Sequence, residues 1–256
     1  MIKIENLSVY YGKKCALSIP KLDFESGKLH CLLGRNGSGK STLLKSILGL
    51  QSFFGTILVD ELNMRKIPNN ERAKKVAYLP QSVPIPKMTV ETLVSHGRYS
   101  RLSFSKVLSK ADILAVNNAI QIMGIEDFRF RFLEELSYGE RQKAYLAMVI
   151  AQESDYILLD EPLTYLDIPY QIELCNLLKK LVSSGKGILF ASHDIPQAFT
   201  YSDSVSILKM GELCGHGRPD SKELYTDCLE NAMGFRLIIQ EKKECLYSYE
   251  LAKKKS

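Results

Sequence analysis

Residues 34–42 read Gly34, Arg35, Asn36, Gly37, Ser38, Gly39, Lys40, Ser41, Thr42 (GRNGSGKST), directly after the apolar run Leu29–Leu33 and before the stretch LLKSILGL. A short buried strand, a glycine-rich turn ending in Lys-Ser-Thr, and a helix, in that order, are the context of a phosphate-binding P-loop. The glycines let the backbone curl so that successive N–H groups face inward as an anion nest. The helix that follows adds the positive end of its dipole. In this frame Lys40 reaches the outer phosphates and the Ser41 hydroxyl ligates Mg2+.

On either side of this loop the pattern is that of an α/β protein. Alternation in Ile2–Tyr10, then LSIPKLDF and GTILVDE, predicts short strands joined as hairpins around the buried strand that feeds the loop. From residue 84 to 153 the apolar spacing turns helical, in TVETLVSHGRY, SKADILAVNNAIQIMGI and ERQKAYLAMVIAQ. Strand signals return in YILLD and GILFASH, separated by an amphipathic segment over 169–182 that reads as a crossover helix between parallel strands. SVSILKMGELCGHG suggests two strands turning at Met210 and Gly211. The expected organisation is a nucleotide-binding domain over 1–220 and a C-terminal extension over 221–256 whose end is disordered. Within the domain, 1–83 and 154–220 form a core with antiparallel β elements, and 84–153 is an inserted helical subdomain.

Composition narrows the classes. The 256 residues are 45% hydrophobic and 25% charged, with no tryptophan, the balance of an ordinary globular chain. The formal charge of +5 is spread along the sequence, and the only tight basic run, Lys253–Lys255, reads as a solvated tail. No nucleic-acid partner is expected. The six cysteines lack metal-ligand spacing and read as small hydrophobes. The opening MIKIENLSVYYG is too charged for a signal peptide, so a cytoplasmic location is expected. No apolar run approaches the ~18 residues of a membrane span. Any membrane role therefore runs through a partner.

Tyr156–Glu161 (YILLDE) reads as a buried parallel strand that ends in two carboxylates. Beside a P-loop, Asp160 faces Mg2+ directly or through water, and Glu161 polarises the attacking water as general base. Gln81 follows VAYLP, and His193 follows GILFAS. In an open parallel sheet ligands collect at the carboxyl ends of the strands, and these four segments all fall there. Gln81 then contacts either Mg2+ or the attacking water, and His193 hydrogen-bonds the γ-phosphate. Ser137 and Glu140 stand at capping-box spacing before a helical run, a helix start that also suits an external phosphate.

With these motifs in place the chain resembles the ATP-binding-cassette family over Ile2–Gly217. GRNGSGKST is similar to its Walker A, Gln81 to its Q-loop, LSYGE to its signature, ILLDE to its Walker B, LTYLD to its D-loop and His193 to its switch histidine, in the family's order. The resemblance implies a P-loop NTPase (RecA-like) core that hydrolyses ATP with Mg2+. It implies a pair of cassettes, with a second identical copy as the simpler assumption. Each ATP would lie between the P-loop of one subunit and the signature (Ser137, Tyr138, Gly139, Glu140) of the other. It further implies integral membrane permease subunits, an extracytoplasmic substrate-binding protein acting through them, and a position on the cytoplasmic face of the membrane. Tyr11 resembles the aromatic residue that stacks on adenine.

TVETLVSHGRYS, the pair Ala151 and Gln152, and LTYLDIPYQIEL look most like the importers of iron-siderophores, haem and cobalamin, while importers of other metals or oxyanions share much of the pattern. Three residues depart from the family: Tyr138 replaces a signature glycine, Leu163 a threonine after the Walker B proline, and Tyr165 sits in the D-loop. A cytosolic cassette ATPase acting on nucleic acid or ribosomes lacks support, because no second cassette, coiled-coil insertion or basic face is present. A small-molecule kinase leaves LSYGE and His193 unexplained.

Overall fold

The computed structural model describes residues 1–102, 107–221, 228–238 and 248–251. Its first part runs β1 (Ile2–Tyr11), β2 (Lys14–Phe24), β3 (Leu29–Leu33), α1 (Lys40–Ile47), β4 (Phe54–Val59), β5 (Leu62–Asn63), α2 (Asn69–Lys75) and β6 (Val76–Leu79). Helices α3 (Val90–His96), α4 (Lys110–Ile122) and α5 (Tyr138–Ala151) follow. The chain then forms β7 (Tyr156–Asp160), α6 (Ile168–Ser183), β8 (Gly187–Ser192), α7 (Ile195–Tyr201), β9 (Ser204–Lys209) and β10 (Glu212–Gly217). It ends in α8 (Leu229–Met233), β11 (Phe235–Ile238) and β12 (Ser248–Leu251).

Ten strands make one sheet in the order β5-β4-β1-β2-β10-β9-β3-β8-β7-β6. Strands β9, β3, β8, β7 and β6 pair in parallel. Every residue of β3, β7 and β8 is buried, which is why these strands read as continuous apolar runs. The β1–β2 and β1–β4 pairs are antiparallel, and their alternation reflects one covered face. The two halves meet where Ser18 of β2 pairs with Glu212 of β10. That single contact leaves room for Pro20 in β2, since proline cannot donate to a continuous ladder. The β9–β10 turn is tight because Met210 and Gly211 both take positive φ, 48° and 87°.

Two apolar clusters flank the sheet. One packs Leu43, Leu44 and Ile47 of α1 against the β1–β2–β4 wing. The other joins α3, α4, α5 and α6 to the parallel strands, so the inserted helices share a core with the sheet. Buried Arg98 fixes that layer: Nε donates to Asp112 at 2.8 Å, and Nη1 to the Ala151 carbonyl and to Glu153 at 2.7 Å each. One guanidinium thus ties the end of α3 to α4 and α5. Buried Cys31 and Cys175 are core hydrophobes, as their apolar surroundings suggest.

Three helices escape the sequence reading. α2 buries no residue, so it carries no apolar stripe to be seen. α7 is only seven residues long. α8 lies in the extension, where Leu229 and Ala232 nonetheless enter the main core. Lys253–Lys255, read as a disordered tail, lie outside the described residues.

Candidate active site

The loop between β3 and α1 is shaped by backbone demands. Gly37 and Gly39 have φ of 79° and 106°, a region that disfavours side chains. A Cβ on Gly34 would come within 2.6 Å of the Leu208 carbonyl. The loop is pinned by Gly34 N–H donating to the Ser192 carbonyl (3.2 Å) and Gly211 N–H donating to the Ser38 carbonyl (2.9 Å). Its position at the sheet edge is therefore set by β8 and by the β9–β10 turn.

Beside the loop opens a cleft of about 530 Å³, lined by Tyr11, Lys14, Cys15, Ala16, Asn36, Gly37, Ser38, Gly39, Lys40, Ser41, Thr42, Gln81, Glu161 and Met210. Gly34 and Arg35 do not line it. They offer their carbonyls to Lys40 Nζ at 2.7 and 3.3 Å instead. Tyr11 is about half exposed in the cleft, its hydroxyl donating to Gln51 at 3.1 Å. The neighbouring Tyr10 stacks edge-on with Phe54, ring centroids 6.0 Å apart, outside the cleft lining.

Three residues singled out by sequence converge on one carboxylate. Glu161 Oε1 lies 3.3 Å from Lys40 Nζ. Its Oε2 accepts from Gln81 Nε2 at 3.1 Å and lies 3.3 Å from His193 Nδ1. Thr164 Oγ1 adds a fourth contact at 3.3 Å that sequence reasoning did not assign. Glu161 itself sits at φ 53°, a left-handed conformation. Such strain in a non-glycine residue concentrates at functional sites.

Asp160, the last residue of β7, is 4% exposed. Its Oδ2 accepts from the Tyr78 hydroxyl at 3.3 Å, while buried Oδ1 has no partner among the described residues. Burial pushes its carboxyl above the ordinary value, against the opposing pull of the Ser41 and Tyr78 hydroxyls. Tyr78 was missed, although its place in VAYLP, one residue before the end of β6, puts it on the same edge.

The signature residues do not enter this cleft. Ser137 caps α5 and forms the expected capping box: its Oγ accepts from Glu140 N–H at 3.3 Å, and Ser137 N–H donates to Glu140 Oε2 at 2.7 Å. Tyr138 lines an adjoining cavity of about 300 Å³ with Gln81, Arg141, Tyr145 and Tyr165. Two further side chains tie α5 to the site. Gln142 Nε2 donates to the Pro162 carbonyl at 3.2 Å, and the Tyr145 hydroxyl to the Pro84 carbonyl at 2.6 Å. Leu163, the second departure from the family pattern, is buried in the main core.

A P-loop at the carboxyl end of a parallel strand, with two carboxylates at the same end of the strand two places along the sheet and a glutamine and histidine turned onto one of them, defines a nucleoside-triphosphate-hydrolysing cassette. The ABC transporter family model matches residues 17–164, more than half of the chain, and the chain belongs to that family. It is an ATP-binding, ATP-hydrolysing subunit of a transporter. It is 37% identical to the petrobactin import ATP-binding protein YclP of Bacillus subtilis, covering 94% of this chain and 95% of that protein. It is 35% identical to the ferric enterobactin transport ATP-binding protein FepC of Escherichia coli, over 92% and 88%. Among solved structures it resembles an inward-facing putative metal-chelate type ABC transporter, with TM-score 0.83, 25% identity and coverage of 99% and 98%. Among the described residues no helix is long and apolar enough to cross a membrane.

Proposed function

We propose that two copies of this chain, on the cytoplasmic face of the membrane, drive uptake of a ferric siderophore through separate permease subunits fed by an extracytoplasmic substrate-binding protein. The solute assignment is supported by the similarity to the petrobactin and ferric enterobactin proteins over nearly the whole chain. The catalytic assignment is carried by the convergence of Lys40, Gln81, Thr164 and His193 on Glu161.

In this reading the N–H groups of residues 36–42 and the start of α1 hold the phosphates of ATP, with Lys40 on the outer ones. Tyr11 stacks on adenine. The Asp160 oxygen that lacks a partner and the Ser41 hydroxyl are hard oxygen donors side by side, a set that fits Mg2+. When bound there, Mg2+ supplies charge neutralisation at the β- and γ-phosphate oxygens. Glu161 takes the proton of the water that attacks the γ-phosphorus, and ADP departs with the bridging oxygen. Gln81 and His193 hold that carboxylate in place, and His193 would hydrogen-bond the γ-phosphate.

The signature serves a second copy. Beyond its own turn of helix, a Cβ on Gly139 would meet no atom of the described residues closer than 3.9 Å. Nothing within one chain requires glycine there, whereas close approach of another chain's ATP does. Closing of the pair on ATP and reopening after hydrolysis would pass through the helices of 84–153 to the permease.

Glu161→Gln tests the chemistry: the variant should retain ATP, lose turnover by at least ~100-fold, and elute as a closed dimer with ATP. Hydrolysis at the normal rate would remove Glu161 from the role of base. Uptake of a radiolabelled ferric siderophore by cells relying on Lys40→Ala tests the solute. Undiminished uptake would overturn the assignment.

A further inference from the structure

Two of the three residues that depart from the family pattern touch each other. The rings of Tyr138, first residue of α5, and Tyr165, in the loop after β7, meet edge-on with centroids 5.8 Å apart at 87°. That is the favoured geometry for an aromatic pair. The contact bridges the signature helix and the loop that presents Glu161.

That loop is strained at both ends. Glu161 has φ 53° and Tyr165 has φ 64°, so two bulky residues in the left-handed region bracket Pro162, Leu163 and Thr164. Its interior is anchored: Leu163 is buried in the main core, Thr164 N–H donates to the Glu161 carbonyl, and Thr164 Oγ1 donates to the Glu161 carboxylate. The carboxylate thus takes its position from a turn whose far end is Tyr165. The Tyr165 side chain is 82% exposed, so burial does little to hold it. Gln142, one turn into α5, already reaches the Pro162 carbonyl of the same turn. The Tyr138 ring supplies a second hold, at the strained Tyr165 end.

We propose that Tyr138 and Tyr165 are a positioning pair in which the signature helix clamps the left-handed turn that aims Glu161. The inference rests on the reading of Glu161 as general base. Neither tyrosine touches the reacting atoms; the pair acts through the turn. It also accounts for a bulky residue at a signature position. Loss of the Tyr138 ring removes a clamp and leaves the phosphate cradle intact, so Tyr138→Gly should reduce turnover modestly.

The test is a double-substitution cycle on the ATPase activity of the purified full chain. Tyr138→Leu and Tyr165→Leu should each lower kcat about two- to tenfold, the range that an edge-on aromatic pair is worth. For Tyr165→Leu, a residue outside the phosphate loop and the signature, the KM for ATP should stay within about twofold, because ground-state binding is untouched. The double variant should be no worse than either single one. Tyr165→Phe should rescue, since the ring edge remains. Tyr165→Gly should retain more activity than Tyr165→Leu, and in its background Tyr138→Leu should have little further effect, because glycine adopts φ 64° without a clamp. Additive losses, a change in KM alone, or equal damage from Gly and Leu at 165 would overturn the proposal. A fully active Glu161→Gln variant would instead remove the base reading beneath it, whereas additive tyrosine variants beside an inactive Glu161→Gln remove only the clamp.

Discussion

Asp160→Asn should stabilise the nucleotide-free chain while abolishing its turnover. The carboxylate is 4% exposed, and Oδ1 has no hydrogen-bond partner among the described residues. Burial raises its pKa above the ordinary carboxylate value of 3.8. The sign follows directly: an acid whose folded pKa lies above its unfolded one holds extra protons when folded. Its contribution to stability therefore declines as pH rises through that window and stays unfavourable at neutral pH. A buried unsatisfied polar group costs about 1–3 kcal/mol. Asparagine keeps the shape and removes the charge, so the part of the penalty due to the charge, about 1–2 kcal/mol, should disappear. At roughly 2–4 °C per kcal/mol for a chain of this size, Tm should rise by about 2–8 °C. Scanning calorimetry without nucleotide at pH 7.5 measures it. With ATP and Mg2+ the order should reverse, because ligation at 100 times Kd adds about 2.7 kcal/mol to a chain that binds. A lower Tm for the nucleotide-free variant would refute the reasoning, since it would mean that the contacts with Tyr78 and Ser41 outweigh the desolvation.

Arg98→Met should destabilise the fold by about 3–5 kcal/mol, because it leaves the buried Asp112 carboxylate without its guanidinium; urea unfolding with an unchanged midpoint would contradict this. His30 and His216, bonded to the Ser204 and Ser206 hydroxyls, have pKa values lowered by burial. The unfolded chain therefore takes up their protons first, and stability should be full above about pH 6.5 and fall below it, by up to ~1.4 kcal/mol per pH unit for each histidine. Proton release on unfolding at pH 6 would reverse that sign. Tyr11→Ala should raise the KM for ATP about five- to tenfold with little change in kcat, as loss of a stacking partner predicts; an effect confined to kcat would move Tyr11 away from adenine.

The chemistry of the site was legible because P-loop chemistry is local. Glycines at 37 and 39, a lysine next to them and an acidic pair closing an apolar run announce themselves within a few residues, and strands buried on both faces cannot hide their composition. The Ser137–Glu140 capping box was equally readable, since both partners lie within one helical turn. Helix α2 was not legible, because a helix that buries nothing carries no apolar period. The ties from α5 to the site were not legible either. Gln142 reaches Pro162 and Tyr145 reaches Pro84 across 20 and 61 residues, contacts that exist only once α5 is packed against the sheet edge.

By itself, then, the sequence determined the α/β class, the phosphate loop and most of the groups that gather around Glu161, because periodicity and motif spacing are properties of neighbouring residues. Only the tertiary structure decided that Lys40, Gln81, Thr164 and His193 share one carboxylate. It alone showed that the two unexpected tyrosines are partners. Parallel strands must be joined by long crossovers, so residues that meet at their ends come from distant parts of the chain, and no local pattern records which side chains will touch.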